Sequence, residues 1–174
     1  YSVYHADKFI TDLKLQSRNN DIEIRDYQKD AYVHAMRNRR CVLLSPTSSG
    51  KSLIIYLAVR QLLTYKCGKG LIIVPTTSLV EQLYSDFADY STKNDWSVQE
   101  NVHRIYQGKD KNTELPLTIS TWQSLYTQPA EYFHQFDFII GDEAHLFKAQ
   151  SLVSIMSNCI NAKYRIGLTG TLDG

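Results

Sequence analysis

A chain of 174 residues is about one domain's worth on the usual scale of ~100–200 residues per domain. Its 43% apolar and 21% charged residues, with 8 Gly and 4 Pro, exclude a disordered or fibrous chain. Lys and Arg number 19 against 18 Asp and Glu, and a net charge of +1 argues neither for nor against a nucleic acid or an acidic membrane as partner.

Cys41, Cys67 and Cys159 are widely spaced and form no CxxC, which argues against a disulfide framework or a zinc site and fits a reducing cytoplasm. The longest uninterrupted apolar run, Leu53 to Val59, falls far short of the ~20 residues of a membrane span. Asp7, Lys8, Asp12 and Lys14 exclude a signal peptide over the first residues. The chain opens at Tyr1 rather than Met, so a fragment of a longer protein is expected.

In chain order, Val3, Ala6, Phe9, Ile10 and Leu13 recur at helical spacing and predict an amphipathic helix over the first fifteen residues. Ser17 to Asp21 (SRNND) reads as a polar break, and Tyr27, Ala31, Ala35 and Met36 predict a second helix between Arg25 and Asn38. Short apolar runs follow at Cys41–Leu44, Leu71–Val74, Leu117–Ile119, Phe138–Ile140 and Ile166–Leu168, with a weaker strand candidate at Val102–Tyr106. Helical patterns at Ser52–Tyr65, Thr77–Tyr90 and Gln150–Ile160 separate several of them, and 91–101 and 107–116 read as exposed polar loops. Strands apolar throughout and alternating with helices predict an α/β domain with a mostly parallel sheet covered on both faces.

The strongest local motif is Cys41 to Ser52 (CVLLSPTSSGKS), a buried strand entering a small-residue loop, with Gly50-Lys51-Ser52 opening a helix. Small residues let successive backbone N–H groups turn towards a phosphate, and the helix N-terminus adds favourable partial charge. Lys51 can then reach the β- and γ-phosphates of a nucleotide, and the Ser52 hydroxyl can ligate Mg²⁺. The strict pattern GxxxxGK[ST] has Gly where this chain has Ser45, so a plain turn opening an ordinary helix is the competing reading. No GxGxxG, GxSxG or HExxH occurs, which removes the main warrant for a Rossmann dehydrogenase, an α/β-hydrolase or a zincin.

Phe138 to Gly141 forms a strand that delivers Asp142-Glu143-Ala144-His145 at its C-terminal end, the edge at which parallel sheets hold ligands. Two carboxylates there divide the labour: Asp142 holds Mg²⁺ and Glu143 polarises the attacking water. An acidic helix start is the bland alternative. Beside Lys51, however, the pair supplies what phosphoryl transfer needs: a phosphate cradle, a metal and a positioned water.

With these motifs the chain resembles the superfamily 2 helicases and translocases, and more narrowly the UvsW-type recombination-repair helicases of phage, in family order over residues 25 to 171. Arg25-Asp26-Tyr27-Gln28 resembles the Q motif, Ser45–Ser52 motif I, Pro75-Thr76-Thr77-Ser78-Leu79 with Gln82 motif Ia, and Ile119–Ser124 motif Ib. Asp142–His145 is motif II in its DEAH spelling, and Leu168-Thr169-Gly170-Thr171 stands where motif III lies. The resemblance implies a RecA-like fold using ATP and Mg²⁺. In it Arg25 and Gln28 meet the nucleotide (Gln28 at the adenine edge), Pro46, Thr47, Ser48, Ser49 and Gly50 line the phosphate loop, and Lys51 and Glu143 serve hydrolysis. It also implies DNA contacts at Pro75, Thr76, Thr77, Gln82, Thr121 and Gln123, and coupling through His145, Thr169 and Thr171. The implied partners are branched or forked DNA and a second RecA-like domain carrying an arginine finger. Residues 1–20 would be a helical lead-in and 21–174 the first motor domain.

Trp122 reads as a packing residue, while Arg37, Arg39 and Arg40, like Lys109 and Lys111, read as solvated faces. The rival functions are a restriction-enzyme-type or RNA translocase motor, and a P-loop protein using ATP as a switch or a phosphoryl donor.

Overall fold

The computed structural model describes residues 1–44, 48–65, 68–106, 109–142 and 149–169. Helix α1 (Val3–Leu13) starts where Ser2 Oγ accepts the His5 backbone N–H, and its face buries Ala6, Phe9 and Leu13. It ends at Lys14, whose φ of 52° leaves the helical region. The segment read as a polar break is a hairpin instead: β1 (Gln16–Ser17) and β2 (Asn20–Asp21) pair antiparallel around Arg18 and Asn19, with φ of 51° and 64°. Such two-residue turns need positive φ at both central positions. Only Asn19 invites that, and the turn is held from outside: the Asp89 carboxylate accepts from Ser17 Oγ at 3.1 Å and from the Arg18 backbone N–H at 2.8 Å.

Helix α2 (Asp26–Asn38) precedes β3 (Arg40–Leu44), and α3 (Ser48–Tyr65) follows it. From Leu53 to Leu62 every residue of α3 is buried, so the longest apolar run of the chain is a helix sunk in protein. Among the described residues no helix is long and apolar enough to cross a membrane. Then come β4 (Gly70–Val74), α4 (Thr77–Tyr90), a short α5 (Val98–Asn101), β5 (Val102–Ile105) and β6 (Leu117–Thr121). The short α6 (Trp122–Leu125), a 3₁₀ turn (Ala130–Gln135), β7 (Phe138–Asp142), α7 (Ala149–Asn158) and β8 (Tyr164–Thr169) complete the order. Within the expected 91–101 loop, α5 is the departure; one turn forms there because the Val98 side chain is buried.

Strands β3 to β8 form one six-stranded sheet in the order β3-β8-β7-β4-β6-β5, parallel at every pairing. Alternate residues divide between two cores. Ile72, Val74, Ile119 and Ile140 face the side covered by α1 to α4, and Leu71, Ile73, Ile105 and Ile139 face the side of α6, the 3₁₀ turn and α7. Central strands β4, β6 and β7 are buried along their whole length, as the apolar runs of β4 and β7 predict, and β6 buries the polar Thr118, Ser120 and Thr121 as well. Edge strand β3 departs from that expectation: Leu43 is buried, but Val42 and Leu44 are 67% and 54% exposed. An edge strand has one neighbour, here β8, and less cover.

Candidate nucleotide site and an adjoining cleft

Register brings the strand ends together. Leu44 pairs with Thr169, Asp142 with Leu168 and Val74 with Thr121, so the C-terminal ends of β3, β8, β7, β4 and β6 share one edge of the sheet. Two clefts open there.

The first, about 500 Å³, lies between the start of α3, the end of β7 and helix α4, with Lys51, Ser52 and Asp142 on its walls. All three are buried, at 4%, 9% and 7% exposure. Lys51 Nζ stands 3.3 Å from Asp142 Oδ1. Burial pushes the Asp142 carboxyl up from its ordinary range, and the Lys51 cation pulls it part of the way back. Asp142 Oδ1 is buried, with the Lys51 ammonium facing it. A buried carboxylate and a buried hydroxyl on the walls of one cleft are a donor set suited to a hard cation such as Mg²⁺.

Gln28 ties the start of α2 to this loop. It is 5% exposed, a buried side chain rather than a solvated one. Its Oε1 accepts the Arg25 backbone N–H at 2.9 Å, and its Nε2 donates to the Gly50 carbonyl at 3.3 Å. The amide thus spans the two segments that the resemblance assigns to the nucleotide. Thr169 is buried at the end of β8 beside Leu44. Pro46, Thr47, Glu143, His145 and Thr171 lie outside the described residues, as do the side chains of Ser48 and Ser49.

Helix α4 adds polar groups to this wall, of which the sequence reading singled out Gln82, as a DNA contact, but not Asp86 or Tyr90. Gln82, Asp86 and Tyr90, at i, i+4 and i+8, line the first cleft in one stripe. Gln82 Nε2 donates to Asp86 Oδ1 at 3.0 Å, and the Tyr90 and Ser52 hydroxyls are 2.6 Å apart. Burial pushes the Asp86 carboxyl up, against hydrogen bonds from Gln82 and Ser52 that hold it down. The structure therefore sets Gln82 on the wall of the first cleft, away from the other residues of its group. Arg18 reaches the same wall from the hairpin, for which no sequence motif gave notice.

The second cleft, about 630 Å³, gathers Pro75, Thr76, Thr77, Thr121 and Gln123, five residues expected at DNA. Thr76 Oγ1 caps α4 by accepting the Leu79 N–H at 3.2 Å, Gln123 Nε2 donates to the Pro75 carbonyl at 3.3 Å, and Thr121 and Ser124 hydroxyls lie 2.8 Å apart. Lys111, read as a solvated side chain, lines this cleft as well. Its carbonyl accepts the Tyr132 hydroxyl at 2.6 Å, a tether between segments that no local pattern reveals. Trp122 packs partly buried against the second core, as read.

A parallel sheet whose C-terminal edge brings a Gly-Lys-Ser helix start against a strand-terminal aspartate defines the class: a RecA-like ATP-binding motor domain of the superfamily 2 helicase type. The family described as type III restriction enzyme, res subunit, matches residues 21–174, and the chain belongs to it. It is 39% identical over 166 residues to the ATP-dependent DNA helicase uvsW of Enterobacteria phage T4, covering 95% of this chain and 33% of that protein. It is 29% identical over 154 residues to the DNA 3'-5' translocase XPB2 of Sulfurisphaera tokodaii, covering 86% of this chain and 31% of that one. The crystal structure of the UvsW helicase from bacteriophage T4 matches with a TM-score of 0.89 at 39% identity, over 98% of this chain and 61% of that one. The chain thus spans about a third of the length of these two sequence relatives. The family implies use of ATP.

Proposed function

We propose that this chain is the first of two RecA-like motor domains of an ATP-dependent DNA helicase that acts on forked or branched recombination and replication intermediates, in the cytoplasm of an infected host cell. The observation that carries the reading is the pairing of two clefts on one sheet edge, the first with buried Lys51, Ser52 and Asp142 and the second with hydroxyl, amide and backbone groups. Residues 21–174 would make the motor domain, with residues 1–20 a lead-in whose helix packs on α2.

Lys51 would hold the β- and γ-phosphates, and backbone N–H groups of residues 46–50 would cradle them. Ser52 and Asp142 would hold Mg²⁺, which when bound neutralises charge on the phosphate oxygens. Glu143 would accept a proton from the attacking water, Gln28 and Arg25 would meet the base side of the nucleotide, and Thr169, Thr171 and His145 would pass the state of the site to the partner domain. At the second cleft Thr76, Thr77, Thr121 and Gln123 would hold the phosphodiester backbone, which positions a strand without reading its sequence. Gln82 would act from the first cleft, through Asp86. The translocases and helicases among the relatives favour this motor over a metabolic kinase or a switch, neither of which needs the second cleft.

The test is hydrolysis by residues 1–174 against the full-length protein. An arginine supplied by a partner contributes roughly 10³–10⁵ in rate in related phosphoryl transfer, so the isolated domain is expected to bind nucleotide and hydrolyse it near background, with or without branched DNA. Robust DNA-stimulated hydrolysis by these residues alone would contradict a two-domain motor.

A further inference from the structure

Tyr90 stands at the end of α4, distant in sequence from every motif quoted for the nucleotide, yet its hydroxyl lies 2.6 Å from Ser52 Oγ. Both residues are buried, at 8% and 9% exposure. The ring is fixed by Tyr56, whose centroid is 5.3 Å away, and the Tyr90 carbonyl accepts the Asn94 amide at 3.1 Å. A serine hydroxyl has one proton and two lone pairs. If its proton is committed to one neighbour and one lone pair to another, a single lone pair in a set direction remains. Asp86 is one turn before Tyr90 on the same face of α4 and lines the same cleft, ready to accept the Ser52 proton.

We propose that Tyr90 is a positioning residue for the metal site: its hydroxyl donates to Ser52 Oγ, Ser52 donates to Asp86, and the lone pair left over points at the cation that Ser52 and Asp142 hold. The inference rests on the nucleotide-site reading above and deepens it. It also gives α4 a second task. The helix is capped at Thr76 in the second cleft and ends at Tyr90 in the first, so one rigid element joins the proposed DNA surface to the ligand of the metal.

Tyr90→Phe in the full-length protein removes the hydroxyl and keeps the ring. A fluorescent ATP analogue is titrated in excess EDTA and then across a Mg²⁺ series, and free Mn²⁺ in the presence of ATP is counted by electron paramagnetic resonance. Binding in EDTA should be unchanged, while the Mg²⁺ and Mn²⁺ midpoints rise about tenfold, at the low end of the effect of removing a partner of a metal ligand. Ser52→Ala should abolish the metal-dependent gain, and adding Tyr90→Phe to it should change nothing further, because the positioned hydroxyl is gone. An unchanged metal midpoint in Tyr90→Phe overturns the proposal, and so does equal weakening with and without metal, which would make Tyr90 a packing residue. Nucleotide affinity left unchanged by Lys51→Ala would instead overturn the nucleotide-site reading, and this proposal with it.

Discussion

Lys51, Ser52 and Asp142 are buried side chains around one cleft, whereas Thr76, Thr77 and Gln123 stand exposed around the other, barely two strands away along the same sheet edge. The first cleft concentrates charge where water is scarce, so each charge–charge contact is worth more than it would be at the surface. The second offers mainly neutral donors and acceptors, most of them exposed and with Lys111 beside them, a surface on which a polymer can be held at many points and released at each. One fold edge thus serves two different economies of binding. In the dry cleft a single substitution should be decisive, and in the wet one it should be minor.

The largest expected effects lie in the first cleft. Glu143→Gln in the full-length protein should keep nucleotide binding and lower turnover by on the order of 10²–10⁴, the usual contribution of a general base. Lys51→Ala should weaken nucleotide binding itself by roughly 10- to 100-fold, since a hydrogen bond to a charged group is worth about 1.5–3 kcal/mol. Fluorescent-nucleotide titration beside a phosphate-release assay separates the two; equal loss of binding in both variants would erase the division of labour.

Gly70→Ala sharpens the comparison by acting on both clefts together. Gly70 in β4 pairs with Phe138 in β7, and a Cβ there would sit 1.9 Å from the Phe138 ring. That ring is fully buried. Overpacking of this kind costs typically ~1–3 kcal/mol, to be read as a lower urea midpoint with both ligand affinities falling only as the folded fraction falls. Loss at one cleft alone would mean that the strands carry more than scaffold.

Smaller effects follow at the margins. Thr169→Ala with Thr171→Ala should leave appreciable ATP hydrolysis while impairing strand separation on a forked substrate; parallel loss of both would point to misfolding or a direct role in hydrolysis. Gln28→Ala should narrow the preference for ATP over GTP by a few-fold, because a two-pronged amide discriminates by leaving groups unpaired against the wrong base. Competition of the two nucleotides against one fluorescent analogue reads this. An unchanged preference would leave Gln28 only its tie between Arg25 and Gly50.

The parallel sheet was legible because short apolar runs such as those of β4 and β7 alternate with helical patterns, and the first cleft because Gly50-Lys51-Ser52 and Asp142 follow two such runs. The hairpin at 16–21 was not, since its turn is held by Asp89 on α4, a contact between segments far apart in the chain. Tyr90 escaped for a similar reason. On a helix it reads as one more core aromatic, and its hydroxyl acquires meaning only when α4 is laid against the start of α3. Lys111 sat in a polar stretch whose course depends on Tyr132. Gln82 was placed by its neighbours in sequence, but helical geometry turns it one face away from Thr76 and towards Asp86.

The account stands most directly on the independence of the two clefts, and a crossed measurement in the full-length protein tests it. Branched-DNA affinity and ATP-analogue affinity are measured for Lys51→Ala and for Thr121→Ala with Gln123→Ala, each with the other ligand absent. Lys51→Ala should lose nucleotide and keep DNA, while the double variant should weaken DNA several-fold and keep nucleotide. Loss of both ligands in both variants would contradict two clefts with separate tasks.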